Sequence, residues 1–255
     1  MSRLTDSPFL LFVVSLAAFW GCAQLGAALR RKQEAGGESA PEIFTIVLTA
    51  SLTLLGLIIS FTFSMAVSRY DLRKSYEAAE ANAIGTEYVR AGFLPPSDAA
   101  TTRMLLRSYL DQRILLYQAG DPDRSAQVRE RTSQLQTQLW TAVQSSALAQ
   151  PSALTALASA GMNDVLNSQA YTQAAWWNRI PRAAWLLMSF IALLCNVMVG
   201  YAARGAVLRS LLLIIMPLLI STAFLLIADI DSPRGGLIRV RPQNLEILAA
   251  SLRAP

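Results

Sequence analysis

Few side chains in this sequence have the type and spacing to do chemistry. Glu77 and Glu80 stand three residues apart, which puts both on one face of a helix, and Glu87 follows two turns later. A carboxylate pair at that spacing could share acid and base work, although the plainer reading of all three glutamates is a solvated helix face. Asp229 and Asp231 could hold a cation, but two carboxylates without further oxygen ligands make a poor calcium cage. Polar capping at a membrane edge is the simpler role for them. Gly235-Gly236 is one short turn with no phosphate-loop framework around it. The chain contains no histidine and two cysteines. That excludes Ser/His and Cys/His nucleophiles, His-ligated metals, and any zinc or disulfide framework. Cys22 and Cys195 read as reduced, packed residues. No metal or cofactor is expected, and the chain does not read as an enzyme.

The elements that must position these groups are set by where charge is missing. Of 255 residues, 53% are hydrophobic and 15% charged, where soluble chains carry about a quarter charged. The deficit is concentrated in four uncharged runs, 8–29, 43–68, 183–203 and 210–228. Each is close to the roughly 20 residues a helix needs to cross a hydrocarbon core of about 30 Å. Pro217 should kink the fourth. The first run is too long for a signal-peptide core and is closed by Arg30-Arg31-Lys32, so it reads as an uncleaved span. Four spans put both termini and the middle segment on one side. Near the spans that side carries Arg3, Arg69, Arg73, Lys74, Arg179, Arg182, Arg234, Arg239 and Arg241, which outnumber Arg30, Arg31, Lys32, Arg204 and Arg209 on the other. The bias favours cytoplasmic termini. The net charge of +5 thus describes membrane orientation, and no nucleic-acid partner is expected.

The division expected from this pattern is a transmembrane pair over 1–68, a helical cytoplasmic domain over 69–182, a second transmembrane pair over 183–228, and a cytoplasmic tail over 229–255. The fold class is all-α. Nothing breaks a helix between Arg69 and Leu94-Pro95-Pro96, so the second span should continue into the polar segment as one rod of roughly 75 Å. Ser97-Asp98 is the expected cap of the next helix, with Leu106, Leu110, Ile114 and Tyr117 on one face. Gly120-Asp121-Pro122-Asp123 should end that helix. A third helix carries Val128, Leu135, Leu139 and Val143 on a stripe, and a fourth begins at Pro151 and runs to Trp176-Trp177-Asn178-Arg179. The two tryptophans read as an interfacial anchor.

The second span holds two stripes at i, i+4 spacing: the small residues Gly56, Ser60 and Ser64, and beside them Thr53, Leu57, Phe61 and Met65. Small residues let helices approach closely in lipid. In an assembly packed through them, the larger stripe would project toward a shared axis as a hydrophobic constriction. By spacing alone the plainer reading is lipid exposure or packing within the chain.

The residues Phe61-x-x-Ser64-x-x-Val67-Ser68-Arg69-Tyr70 resemble the end of the second transmembrane helix of bestrophin anion channels. So does the order of parts, with two spans, a helical insertion, two more spans and a tail opening at Asp231-Ser232-Pro233. The run from Arg69-Tyr70 through Glu77-x-x-Glu80-Ala81-Asn82-Ala83-Ile84-Gly85-Thr86, then Leu94-Pro95, and Asp231 to Ile238 is similar to the bacterial bestrophin-like membrane proteins. The resemblance covers residues 43–250. It implies a hydrophobic pore neck at Thr53, Leu57 and Phe61, with Phe61 innermost. Bestrophins carry bulky apolar residues at all three positions; Thr53 departs from this and Leu57 replaces an aromatic, which implies a neck that is wider, wetter or absent. It also implies Arg69 in an inner vestibule, where the plainer reading is a snorkelling anchor, and a pentameric homo-oligomer passing small anions. The tail lacks the acidic cluster that binds calcium in eukaryotic bestrophins, so calcium gating is not implied. The expected function is an oligomeric anion channel in the bilayer. The alternative is a non-conducting, membrane-anchored scaffold or sensor acting through its helical domain.

Overall fold

Uncharged runs of this length leave the backbone no water to bond with inside lipid, and a helix satisfies every amide internally. The computed structural model describes residues 7–35, 42–203, 206–233 and 235–253, and all regular structure among them is helical. Arg3, Arg204 and Arg234, on which parts of the sequence reading rest, lie outside the described residues. The helices are α1 (Pro8–Ala35), α2 (Glu42–Arg90), α3 (Pro96–Gln118), α4 (Pro122–Ala149), α5 (Ala153–Trp177), α6 (Arg182–Ala202), α7 (Ala206–Asp231) and α8 (Gln243–Arg253), with a 3-10 turn at Ala91–Phe93. Four segments are long and apolar enough to cross a membrane: Pro8–Gln33, Ile43–Phe93, Ala153–Ala202 and Leu213–Asp231. In the third, the uncharged run is that of α6. Pro217 sits inside α7 without ending it.

The chain divides into two compact units. One comprises residues 1–70 and 179–239, the other residues 71–178 and 240–255. In the first, α1, α6 and α7 pack together with one side of α2. Phe224 of α7 is the hub of this packing. It receives Phe19 of α1 edge-on at 5.3 Å and Trp185 of α6 at 5.8 Å, the arrangement that sets a positive ring edge against a negative ring face. The α1 and α6 backbones touch through two glycines. A Cβ on Gly26 would stand 1.9 Å from the Val197 carbonyl oxygen, and one on Gly200 would stand 1.9 Å from that of Ala23. No side chain larger than hydrogen fits at either point.

In the second unit the polar helices amphipathically enclose Leu106, Tyr109, Leu110, Leu135, Leu139 and Val143, with Ile84 from α2 and Met162 and Val165 from α5. Helix α8 completes this core with Leu245 and Ala249. Local sequence sets the helix ends. The Asp121 carboxylate accepts the Arg124 amide, with Pro122 in the first turn of α4. Ser152 and Thr155 form a reciprocal capping box that opens α5. The expected cap at Ser97-Asp98 is corrected: Pro95 is the N-cap of α3, Pro96 fills the first position, and the Asp98 carboxylate instead accepts the Ser146 hydroxyl of α4.

Candidate functional site

Helix α2 supplies most of the residues singled out in the sequence. Within the first unit, only one side of it is covered, by burial of Leu55, Thr62 and Ala66 against the chain's own helices. The opposite side is bare. Phe61 is 65% exposed and Leu57 50%, Thr53, Ser60, Ser64 and Met65 are exposed, and a Cβ on Gly56 would meet nothing within 4 Å. Only 6% of the most apolar stretch of this helix is buried, against 50% for the last span. The exposed hydroxyls turn back on their own helix: Thr53 Oγ1 donates to the Thr49 carbonyl and Ser60 Oγ to the Gly56 carbonyl, each at 2.9 Å. That satisfies both without water.

Arg69, two turns past Phe61, is mostly buried and not alone. Its Nη1 lies 4.0 Å from Asp231 Oδ1, and the same carboxylate accepts the Ile180 amide at 3.2 Å. Asp229 accepts the amides of Leu237 and Ile238 at 2.7 and 2.8 Å. Gly236 is required there, since a Cβ would fall 2.5 Å from the Asp229 carbonyl oxygen. Asp229 therefore fastens the turn after α7, Asp231 ties the end of that helix to the segment before α6, and no cluster of potential metal ligands occurs among the described residues.

The reading of Glu77, Glu80 and Glu87 as a solvated face is overturned. All three are buried, and each has a different setting in the second unit. The Glu77 carboxylate accepts the backbone amides of Asn244 and Leu245 at 2.9 and 3.0 Å and the Asn244 side-chain amide at 2.6 Å. It thereby caps α8 from another helix, where the positive end of the helix dipole favours an anion. Glu80 takes Arg113 bidentately and also accepts the Thr172 hydroxyl at 3.0 Å. Burial opposes the Arg113 charge, yet Glu80 beside it holds the guanidinium pKa above its usual range. Burial, then Glu80, pushes the Tyr109 and Tyr117 phenols upward.

Glu87 has neither kind of partner. Both of its oxygens lack a hydrogen bond among the described residues, and a Cβ on Gly161 would stand 2.1 Å from Oε2. Burial pushes its carboxyl up to about 8, against the pull of Arg90 and with a further push from Asp164. These three glutamates do not form an acid–base pair facing a substrate: two are fully engaged and the third is sealed in. The signal that could have placed them was the register. Ile84 and Ala91, both buried, fall on the same stripe as 77, 80 and 87.

The tryptophan pair also separates. Trp176 is buried beside Leu116 and Val128 and meets Tyr117 edge-on at 5.0 Å, so it is part of the helical unit's core and not an anchor. Trp177 is 76% exposed.

Comparison with known proteins agrees with this architecture. A family model described as the bestrophin-like domain matches residues 9–245. Crystal structures of a bacterial bestrophin homologue from Klebsiella pneumoniae share the fold. One variant superposes with a TM-score of 0.69 at 12% identity, covering 94% of this chain and 93% of that one. A second structure of the homologue gives 0.65 at 15% identity, covering 94% and 95%. No curated protein matches the sequence.

Proposed function

The chain belongs to the bestrophin-like family, and on that premise we propose that it is a homo-oligomeric anion channel of the bacterial inner membrane, with copies of α2 around a shared pore. The observation that carries this reading is the bare face of α2. An apolar helix side left uncovered by its own chain, beside Gly56 where a Cβ would meet nothing within 4 Å, fits helix-to-helix packing between copies. In this proposal Gly56, Ser60 and Ser64 form the contact between copies, and Thr53, Leu57 and Phe61 form the neck. Because the Thr53 hydroxyl is bonded to its own backbone, the upper neck is drier than a threonine first suggests. Phe61 rings turned edge-on would favour a partly dehydrated anion over a cation, since the ring edge is the positive part of the quadrupole.

Arg69 would contribute to the inner vestibule with its charge partly balanced by Asp231. The helical unit and both termini would lie in the cytoplasm, following the excess of Lys and Arg on that side. The assembly would be a pentamer that conducts and does not catalyse.

The test joins mass measurement of the detergent-solubilised particle with chloride efflux from reconstituted vesicles. A particle of several subunits with chloride flux, and a loss or broadening of selectivity in Phe61→Ala, is the expected result. A monomer or dimer without flux removes the channel and leaves the scaffold reading.

A further inference from the structure

The second unit carries a polar recess that the conduction proposal does not use. Arg129, Thr132, Ser133 and Gln136 recur at i, i+3, i+4 and i+7 along one face of α4, and Gln169, Gln173 and Trp177 recur at every fourth residue along α5. The two stripes flank a space of about 240 Å³, with Arg113 of α3 also on its wall. No acidic residue lines it among the described residues. Arg113 is already neutralised by Glu80, whereas Arg129 has no ion pair or hydrogen bond among the described residues. The recess therefore carries one uncompensated positive charge. Around it stand the Ser133 hydroxyl and glutamine amides. A bond across the recess, from Gln136 Nε2 to Gln169 Oε1, is long at 3.4 Å and easily exchanged for a ligand.

Size and surface narrow the ligand. The space, about 240 Å³ and open to solvent on one side, has room for more than a chloride or a phosphate. The Trp177 indole, 76% exposed, offers an apolar wall whose covering favours a carbon skeleton. We infer that this recess binds a small organic anion, a carboxylate of about four carbons bearing further oxygen groups. Arg129 takes the carboxylate through its planar fork, Ser133 and the glutamines take the remaining oxygens, and Trp177 covers the chain.

The test uses the full chain in detergent micelles, titrated with malate by calorimetry and by tryptophan fluorescence, with acetate, chloride and phosphate in parallel. Malate should bind saturably and more tightly than the other three. Arg129→Gln should weaken it at least tenfold, while Arg131→Gln, whose guanidinium bonds Gln134 outside the recess at 3.1 Å, should leave it unchanged. Trp177→Phe should reduce the fluorescence change while binding heat persists. Circular dichroism of each variant confirms that the helices are intact. The inference is overturned by the absence of saturable malate binding, by equal weakening in both arginine variants, or by chloride or phosphate binding as tightly as malate. Binding is read without flux, so this result and the conduction test stand apart.

Discussion

Replacing Gly26 or Gly200 by alanine should force two membrane helices apart. The added methyl at Gly200 would sit 1.9 Å from the Ala23 carbonyl oxygen and 3.0 Å from its Cα, and at Gly26 1.9 Å from the Val197 carbonyl oxygen and 2.9 Å from the Tyr201 nitrogen. Close carbon-to-oxygen approaches between helices run at about 3.3–3.6 Å, so each substitution lacks about 1.5 Å. The obstacles are backbone atoms, which no rotamer change can move aside. The cost of such overpacking is about 1–3 kcal/mol per site. At about 2–4 °C per kcal/mol for a chain of this size, the melting temperature should fall by about 2–12 °C. One separation relieves both clashes, so the double variant should lose less than the sum of the singles. Thermal melts followed by tryptophan fluorescence in micelles read the effect, with Gly21→Ala as the control because nothing lies within 4 Å of its methyl. Single variants that melt with the wild type, or a double variant whose loss is strictly additive, would refute the close approach of α1 and α6.

Three other outcomes are expected. The Glu87 carboxyl is raised from its ordinary 4.5 to about 8, so the folded unit binds its proton more tightly than the unfolded chain does. Stability from this group is full below pH 4.5, declines as pH rises toward 8, and falls no further beyond. Glu87→Gln should flatten that decline in a pH series of unfolding curves, and an unchanged slope would show that the carboxyl is not held neutral. Arg113→Met should cost about 3–5 kcal/mol by leaving Glu80 buried and unpaired. The double variant with Glu80→Leu should recover most of that loss in the same melts, and equal instability of single and double variants would deny the pairing. Glu77→Ala should cost about 1–2 kcal/mol by uncapping α8. Hydrogen exchange should then quicken at the Asn244 and Leu245 amides while the middle of α4 keeps its protection, and unchanged exchange at those two amides would contradict the cap.

The helices were legible where charge, proline and apolar spacing agree. The four apolar runs follow from missing charge and the rod of α2 from the absence of a breaker, while the stripes Leu106, Leu110 and Val128, Leu135, Leu139, Val143, whose residues are all buried, follow from periodicity. Three features did not emerge, for distinct physical reasons. The buried glutamates of α2 were read by polarity, and the partners that stabilise Glu77 and Glu80 there lie far along the chain, in Arg113, Thr172 and Asn244. Adjacent tryptophans were read as a pair, although neighbouring residues on a helix point about 100° apart, so one can enter a core while the other stays outside. The glycines that join α1 and α6 sit in separate spans, and no local pattern marks which glycine meets a facing backbone. The bare face of α2 was anticipated in outline, since the stripe is visible in sequence, but its exposure depends on which side the other helices cover.

The path of the chain through the second unit has a consequence for its biogenesis. Leu245 and Ala249 complete a core whose other members lie between Ala81 and Val165, and α6, α7 and the turn after them are translated in between. The last two apolar helices are therefore made before the helical unit can close, and until α8 is made the Glu77 carboxylate has no helix end to cap. Arrest or truncation before Gln243 should leave the Leu245 site of the unit uncovered and mark the protein for degradation even with every membrane helix in place.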